Sequence, residues 1–491
     1  MNYEIGLYHH NASAYEKVKE EFKESDKACI VHATGTGKSF IALQLIYDFV
    51  KDNPNRKVVY LTPLLGIQDQ LQEHLDSIEK HNKENGIEFH REYFDNVKFI
   101  TYARAGNNVP GDLDSISREE LLHLKADMMI LDEFHHIGKG ADNWKAGINL
   151  IQNANPNMKI FGMSATSVRN RRTSKEEDVA EIFFEGHKAS EYPLEQAIAD
   201  GVLPAPNYHA AYSFLTEECE ELESKVKDGK ASEEEKKEYK KVLKSIKEKI
   251  SELENQEVTD LVKNYIKPNK KYIYFCAKDA DIEELQNNFL EMLPEELRGN
   301  VEFYQVHSSE YTSKENKSNA YNFYNNVSAN GESSNGKLRV MFAIDMYNEG
   351  IHVPDIDGVI MGRSTKSEII YYQQLGRALA VKKKSENDET PIESPLVLDL
   401  QNNFRRILKL YKKVEKRENH TNHDNTNDED NKGKNNTTKN LPLQFGIDGD
   451  NKRENNTTKN LLLQFGIDEE IINIVDELDK VKQEINEEKE N

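Results

Sequence analysis

The sequence is poor in cysteine and has no long apolar run. Its three cysteines, Cys29, Cys219 and Cys276, are widely spaced and no paired Cys/His cluster accompanies them. This argues against a zinc site or a disulfide framework and predicts a reducing compartment. No apolar stretch approaches the roughly 20 residues that a membrane-spanning helix needs. The N-terminus lacks a basic segment followed by an apolar one, so we expect no membrane partner and a cytoplasmic location.

Apolar runs typical of strands are present, and they alternate with helical patterns in two separate regions. The first region contains the runs 28–31, 58–62, 97–101, 128–131 and 160–163. The second region contains the runs 271–276, 301–307, 338–342, 358–361 and 396–400. Alternation of this kind predicts parallel sheets covered by helices, which makes the fold class α/β.

A glycine-rich segment, HATGTGKS at 32–39, lies between the first apolar run and a helical pattern. Glycines in this context allow backbone N–H groups to curl around an anion at a helix N-terminus. Lys38 would then reach the β- and γ-phosphates of a nucleotide, and the Ser39 hydroxyl would bind Mg²⁺. The usual pattern has glycine where this chain has His32.

Two carboxylates, Asp132 and Glu133, follow the apolar run 128–131. At the C-terminal end of a strand they form a Walker B pattern, in which Asp132 would hold Mg²⁺ and Glu133 would orient and deprotonate a water molecule. Three further segments follow in order along the chain: Ser164-Ala165-Thr166, the run 342–354 with Asp345 and Gly350, and the run 372–377 with Gln373 and Arg377.

These five segments, in this order, resemble motifs I, II, III, V and VI of superfamily 2 helicases of the DExH type. The motif sequences are most similar to those of restriction-enzyme helicase subunits (type III Res) and related bacterial helicases. The resemblance covers residues from about 5 to 405. It implies two tandem RecA-like domains, with ATP and Mg²⁺ bound between them.

The resemblance also implies a role for each matching residue. The residues expected to act in catalysis are Glu133, Arg377, Gln373 and His135, and His135 would also couple motif II to motifs III and VI. The residues expected to bind ATP are Asn11, Thr34, Gly35, Thr36, Gly37, Lys38, Ser39, Asp345 and Gly350, and Asn11 lies in the segment that recognises adenine. Ser39 and Asp132 are expected to coordinate Mg²⁺. The residues expected to contact nucleic acid are Thr62, Pro63, Thr101 and Thr166.

Further positions besides His32 depart from the family pattern. Asn11 replaces a glutamine, which puts adenine selectivity in question, and Ser167 replaces a proline in motif III. Ala380 occupies the position of a second arginine in motif VI. Either Arg377 then acts alone on the γ-phosphate, or one of Lys382, Lys383 and Lys384 assists it.

We predict the following domains: 1–205, the first RecA-like domain; 206–265, a linker and charged helical insertion; 266–415, the second RecA-like domain; and 416–491, a largely disordered tail. The insertion is predicted to be a helical hairpin, either a packed strut or an element that grips or separates strands. Ser232 and Glu235 form the capping box of its second helix.

The predicted tail contains a tandem duplication and ends in a helical pattern. NNTTKNLPLQFGID at 435–448 recurs as NNTTKNLLLQFGID at 455–468. The two copies are either partner-docking motifs or a neutral duplication. The terminal amphipathic helix either docks on the body or pairs with another helix. Because the tail is poor in core-forming residues, removing the chain after about 415 is predicted to leave ATPase activity intact.

The function predicted from these residues is that of an ATP-dependent helicase or translocase, an ATP hydrolase that acts on DNA. An RNA helicase or RNA sensor is the alternative within the class, and a non-catalytic nucleotide-binding scaffold is the alternative outside it. A nuclease or modification subunit bound through the tail is a further expected partner. The net charge of −22 requires that nucleic acid be held by local groups in a cleft, with salt-dependent affinity.

Overall fold

The computed structural model describes residues 4–63, 66–106, 116–138, 141–171, 174–228, 232–253, 257–278, 280–307, 314–344, 353, 355–365, 367–379, 394–401, 403–424, 465–467 and 469–490. Across these ranges, no helix has both the length and the apolar character that crossing a membrane requires.

The first domain is a six-stranded parallel sheet in the order β3-β2-β4-β5-β1-β8. Its elements are α1 (His9–Glu24), β1 (Lys27–His32), α2 (Lys38–Asp52), β2 (Val58–Thr62), α3 (Gly66–Asn85), β3 (Val97–Thr101), α4 (Tyr102–Gly106), α5 (Arg118–His123), β4 (Met128–Asp132), α6 (Asp142–Ala154), β5 (Lys159–Ser164), β6 (Val168–Arg171), β7 (Ser174–Asp178), α7 (Val179–Phe183), β8 (Lys188–Tyr192) and α8 (Leu194–Ala199). Strands β6 and β7 form a separate antiparallel pair.

The apolar runs of the first domain become central strands because both of their faces are covered. All residues of β2 and β4 are buried. One group of core residues packs α1, α2 and α3 on one face, and a second packs α5, α6 and α7 on the other. This is the arrangement that parallel crossovers require, and it brings the carboxyl ends of all the strands to one edge.

The second domain is also a six-stranded parallel sheet, in the order β11-β12-β10-β13-β14-β9. Its elements are β9 (Asn207–Ala210), α9 (Ser213–Asp228), α10 (Glu233–Glu252), α11 (Val258–Tyr265), β10 (Lys271–Cys276), α12 (Ile282–Met292), α13 (Glu295–Arg298), β11 (Val301–His307), α14 (Lys314–Asn325), β12 (Leu338–Ile344), β13 (Gly358–Met361), α15 (Glu368–Leu379), β14 (Leu396–Asp399), α16 (Phe404–Asp424) and α17 (Glu469–Glu490). The chain thus has two tandem RecA-like domains, as the sequence predicts.

The predicted linker contains an element that sequence patterns did not single out. Strand β9 pairs in parallel with β14, from Asn207 opposite Leu396 to Ala210 opposite Asp399. The second sheet therefore begins at residue 207, before the helical hairpin. Tyr208 fixes this edge strand, since its buried hydroxyl donates to Asp399 Oδ2 at 2.6 Å.

The predicted hairpin is formed by α9 and α10, and the terminal helix α17 packs against both of them. Leu243 and Ile250 of α10 share one apolar core with Leu478 of α17. Lys249 Nζ lies 2.7 Å from Glu477 Oε1. Glu218 of α9 binds both Arg405 of α16, at 2.9 Å, and Lys482 of α17, at 3.0 Å. The hairpin is thus a packed element, and α17 docks on the body.

The lead-in to α17 is packed as well. Phe465 is fully buried, its ring meets that of Tyr411 edge-on, and Ile467 is also buried. These residues belong to the second copy of the duplication, and the first copy lies outside the described residues. The prediction that the chain after about 415 contributes no core is therefore wrong for 465–490. Its removal would expose apolar faces of α9, α10 and α16.

Leu478→Ala is expected to destabilise the second domain by about 2–5 kcal/mol, because it would open a cavity among fully buried side chains. The measurement is the denaturant midpoint followed by circular dichroism. Asn473→Ala, on the exposed side of the same helix, is the matched control and is expected to change stability by no more than about 0.5 kcal/mol. Equal midpoints for the two variants would contradict the docked position of α17.

Candidate active site

The predicted site residues of the first domain meet at one edge of its sheet. Asp132 ends β4, Ser164 ends β5, and the glycine-rich loop follows β1. Neighbouring strands β2 and β3 end at Thr62 and Thr101, which are register partners. Parallel pairing alone brings these segments together, although they are separated by up to about 130 residues in sequence.

The glycine-rich loop has the backbone conformation of an anion-binding turn. Gly35 and Gly37 both have φ of 85°, a left-handed value that favours glycine, and Gly37 caps α2. Asn11 Nδ2 donates to Thr36 O at 3.0 Å, and His10 Nε2 lies 2.8 Å from the same oxygen. Residues of the predicted adenine-recognition segment therefore contact the backbone of the loop. Asn11 is fully buried there.

The conformation of His32 shows why glycine is not needed at the first position of the pattern. It is the last residue of β1 and is absent from the positive-φ residues of the described chain. Its buried ring faces β8, with Nε2 at 2.9 Å from Ser190 Oγ and a tilted contact with Tyr192. Burial lowers the pKa of His32 to about 3, so the ring is neutral. The residue adds no charge to the loop.

Lys38 is buried inside the loop. Its ammonium donates to the backbone oxygens of His32 at 3.0 Å and Ala33 at 3.4 Å. Burial lowers the pKa of Lys38, the charges of Glu133 and Asp132 oppose that shift, and the charge of Arg377 reinforces it. A phosphate would offer this ammonium charged acceptors in place of two neutral carbonyl groups.

Asp132 and Glu133 are both buried, with 7% and 6% of their surface exposed. Burial and the adjacent Glu133 raise the pKa of Asp132, while Lys38 opposes this shift. Two carboxylates near one ammonium leave a net negative position, which suits a divalent cation with oxygen ligands. Asp132 and the Ser39 hydroxyl at the start of α2 are the residues that would hold Mg²⁺.

Glu133 is held in an unusual backbone conformation that aims its side chain at β5. Its φ of 50° and ψ of 51° are left-handed, which is uncommon outside glycine. Its Oε2 accepts hydrogen bonds from Ser164 Oγ at 3.1 Å and from the N–H of Ala165 at 3.3 Å. Motifs II and III are thus joined through this carboxylate.

His135, also in motif II, likewise contacts Ser164 of motif III. Its Nδ1 lies 2.8 Å from Ser164 Oγ and 3.5 Å from Glu133 Oε2. The predicted coupling of motif II to motif III therefore has a direct contact. Thr166 follows, and its hydroxyl accepts a hydrogen bond from the N–H of Val168 at 3.1 Å. This ordered turn follows the site residues of β5.

Helix α15 of the second domain faces the loop of the first. Gly376 packs directly on Thr34: a Cβ at Gly376 would lie 2.9 Å from the Thr34 Cβ. Gln373 and Arg377 are buried on this helix, and the charge of Arg377 acts on Lys38. Asp345, Gly350, Ala380 and Lys382–Lys384 lie outside the described residues.

The four residues predicted to contact nucleic acid are at the same sheet edge. Thr62 and Thr101 are buried, and the Thr101 hydroxyl accepts a hydrogen bond from the N–H of Arg104 at 3.1 Å. Pro63 and Thr166 are partly exposed. In this conformation, Pro63 and Thr166 are therefore more accessible to a ligand than the two buried threonines.

Sequence reasoning missed three residues that support the site. His10 occupies the tyrosine position of the adenine segment, and nothing in the pattern signals its contact with the loop. Tyr60, in the middle of β2, directs its hydroxyl toward Asp132 Oδ2 at 3.5 Å. Tyr102 donates to the backbone oxygen of Asp132 at 2.8 Å. Only tertiary contacts distinguish these aromatic residues from ordinary core residues.

Comparison with known families gives two matches. Residues 4–169 match the family "Type III restriction enzyme, res subunit". Residues 255–381 match "Helicase conserved C-terminal domain". The matches cover the first domain up to motif III and the second domain from α11 to α15. A comparison with curated proteins gives no match.

Similar solved structures include both DNA and RNA complexes. The type ISP restriction-modification enzyme LlaBIII bound to DNA is 16% identical over 84% of this chain and 30% of its own, with a TM-score of 0.47. A fragment assigned to an HsdR subunit of a type I restriction enzyme from Vibrio vulnificus is 17% identical over 82% of this chain and 66% of its own, with a TM-score of 0.43. S. cerevisiae Dbp5 bound to RNA and ADP BeF3 is 13% identical over 84% of this chain and 92% of its own, with a TM-score of 0.44.

The chain spans about a third of LlaBIII and two thirds of the HsdR fragment. With identities of 17% or less and TM-scores below 0.5, these structures carry no assignment. The family assignment therefore rests on the two family matches and on the collinear motifs that they contain. On these grounds the chain is a superfamily 2 helicase of the DExH type, related to the Res subunits of restriction enzymes.

Proposed function

We propose that this protein is a nucleic-acid-dependent ATPase that moves along DNA by closing and opening the cleft between its two RecA-like domains. The observation that carries the proposal is the meeting of Lys38, the Asp132–Glu133 pair and Arg377, three parts of one phosphoryl-transfer site contributed by two domains. Transfer of a phosphoryl group depends mainly on positioning and on charge stabilisation, which this set of residues supplies.

Each residue has a distinct part in the proposed reaction. Lys38 exchanges its backbone acceptors for phosphate oxygens when ATP binds. Glu133 orients the attacking water and takes its proton. Arg377 meets the negative charge that develops on the γ-phosphate. Mg²⁺, held by Ser39 and Asp132, supplies further charge neutralisation at the phosphates when bound.

Coupling to nucleic acid follows from the division of the site between domains. A strand that bridges both domains stabilises the closed cleft, in which Arg377 lies beside the loop. The proposed contacts at Thr62, Pro63, Thr101 and Thr166 lie at the same sheet edge as Asp132. Binding of the strand and completion of the site therefore favour the same conformation.

DNA is favoured over RNA because the first domain matches a family of restriction-enzyme subunits. The motifs themselves do not specify the sugar. A non-catalytic scaffold is less well supported, since Lys38, Asp132, Glu133 and Arg377 are all retained and buried around one position.

The expected result is slow ATP hydrolysis by the protein alone and a several-fold increase with nucleic acid, greatest with DNA. The measurement is steady-state phosphate release with duplex DNA, single-stranded DNA and RNA at one salt concentration, because phosphate contacts are salt-dependent. Stimulation by RNA alone would replace DNA with RNA as the substrate. Equal turnover with and without all three would remove the coupling.

A further inference from the structure

The two domains also touch at a place away from the glycine-rich loop. The Tyr324 hydroxyl, near the end of α14 in the second domain, donates to Glu73 Oε2 on α3 of the first domain at 2.7 Å. A hydrogen bond to a carboxylate is stronger than one between neutral groups. None of the predicted site residues takes part in this contact.

The position of Tyr324 is fixed from within its own domain. Lys271, a fully buried residue of β10, donates its ammonium to the Tyr324 backbone oxygen at 3.2 Å. The same ammonium lies 4.8 Å from the centre of the ring of Phe323, which is also fully buried. Asn326, with φ of 55°, ends the helix immediately afterwards. The hydroxyl therefore reaches Glu73 from a well-anchored backbone.

The surroundings of the phenol keep it protonated. Burial, the hydrogen bond to Glu73 and the charges of Glu73, Asp355 and Asp69 all raise the pKa of Tyr324. The phenol is therefore a donor at any working pH, and Glu73 is its acceptor. The contact needs no counter-ion and no change of protonation to form.

This contact lies far from the one between α15 and the loop. In the first sheet, β2, which leads into α3, is three strands away from β1, which leads into the loop. In the second sheet, β11, which leads into α14, is three strands away from β13, which precedes α15. At about 4.8 Å per strand, the two contacts are roughly 14 Å apart along each sheet.

Contacts on both sides of the cleft constrain a pair of domains far more than contacts on one side do. On one side, Gly376 packs on Thr34, and α8, which follows β8, packs on α16, where Leu194 and Ile198 share the core of the second domain. With these contacts alone the second domain can still rotate about that side, and Arg377 would move with α15. The contact between Tyr324 and Glu73 on the other side opposes this rotation. The side of the cleft that contains α3 and α14 therefore influences where Arg377 lies.

We propose that Tyr324 and Glu73 are positioning residues that hold the cleft closed and so keep Arg377 beside the loop. The proposal rests on the ATPase function proposed above. Loss of the hydrogen bond would lower the fraction of molecules in the closed conformation. The apparent affinity for ATP falls in proportion to that fraction, whereas turnover of bound ATP changes less.

The first test measures the distance between domains without ATP. Fluorophores would be attached at Lys80→Cys on α3 and Asn288→Cys on α12, both exposed. The native cysteines Cys29, Cys219 and Cys276 are buried, so labelling is selective. Energy transfer is expected to decrease in Tyr324→Phe and in Glu73→Ala. Tyr321→Phe is the matched control, because Tyr321 lies one turn earlier on α14 and is 65% exposed.

The second test separates positioning from general destabilisation. Tyr324→Phe is expected to raise the KM for ATP by roughly three- to tenfold, the range expected for one hydrogen bond, with kcat changed less than about twofold. The double variant Tyr324→Phe/Glu73→Ala should show the effect of one single variant and not the sum of the two. Additive effects, or a KM unchanged in Tyr324→Phe, would overturn the proposal.

The two proposals fail in different ways. If the protein hydrolyses no ATP but Tyr324→Phe still increases the distance between the labels, the pair holds the domains together and the ATPase function is wrong. If ATP is hydrolysed and the distance in Tyr324→Phe equals that in Tyr321→Phe, the positioning role is wrong and the ATPase function stands.

Discussion

Glu133→Gln is expected to bind ATP and nucleic acid normally and to hydrolyse ATP at least about a hundredfold more slowly, as loss of a positioned general base implies. Glutamine keeps the size of the side chain and an oxygen that accepts from Ser164 Oγ and Ala165 N–H. It cannot take a proton from water. Binding and turnover should therefore separate in this variant, as seen by fluorescent-nucleotide binding and by phosphate release.

The control for Glu133→Gln is Glu20→Gln, which removes the same charge from an exposed helix position whose side chain is 67% exposed. It should leave both ATP binding and turnover unchanged. Lys38→Ala provides the opposite pattern, since it removes a phosphate ligand and should weaken ATP binding itself. Normal turnover in Glu133→Gln would show that another group activates the water.

The parts of the site that follow strands were predictable because strand order and motif position are linked. In a parallel sheet every carboxyl end reaches the same edge, so Asp132, Ser164 and the loop after β1 had to meet once the alternating pattern was recognised. An anion-binding turn was likewise expected from the glycines of the loop, and two of them, Gly35 and Gly37, have left-handed backbone.

Contacts between distant segments were not predictable in the same way. β9 has four residues, too few for a clear alternation pattern, and it becomes a strand because the edge of β14 is available. The packing of α17 on the hairpin depends on an apolar face of that helix. In the sequence, the same apolar face is equally compatible with docking on the body and with pairing with another helix. The contact between Tyr324 and Glu73 joins helices of two domains, and neither residue type nor spacing signals it.

The His32 departure shows why a motif has to be judged in its structure. The pattern alone left open whether the missing glycine harmed the loop. The loop needs left-handed backbone only at Gly35 and Gly37, and His32 completes β1 with its ring turned toward β8. Asp345 and Gly350, which lie outside the described residues, remain predictions on the strength of the resemblance alone.

Arg377→Ala is expected to reduce ATP turnover at least about a hundredfold, with ATP affinity changed much less. An arginine that meets the transferring phosphoryl group is worth roughly 10³–10⁵ in rate in related sites. Arg377 is 9% exposed and its charge acts on Lys38, so it lies in the cleft near the glycine-rich loop. Since Ala380 replaces the second arginine of the motif, we expect the rate to depend on the Arg377 guanidinium.

Arg377→Lys is expected to restore little of this rate, because an ammonium lacks the planar fork that a guanidinium offers to phosphate oxygens. The measurement is single-turnover hydrolysis with the enzyme in saturating excess over ATP, which separates the chemical step from binding. Arg298→Ala is the control, since Arg298 is an exposed arginine at the end of α13 in the same domain. If Arg377→Ala retained most of the activity, the charge would have to come from one of Lys382–Lys384 or from a partner protein, and triple replacement of these lysines would distinguish the two sources.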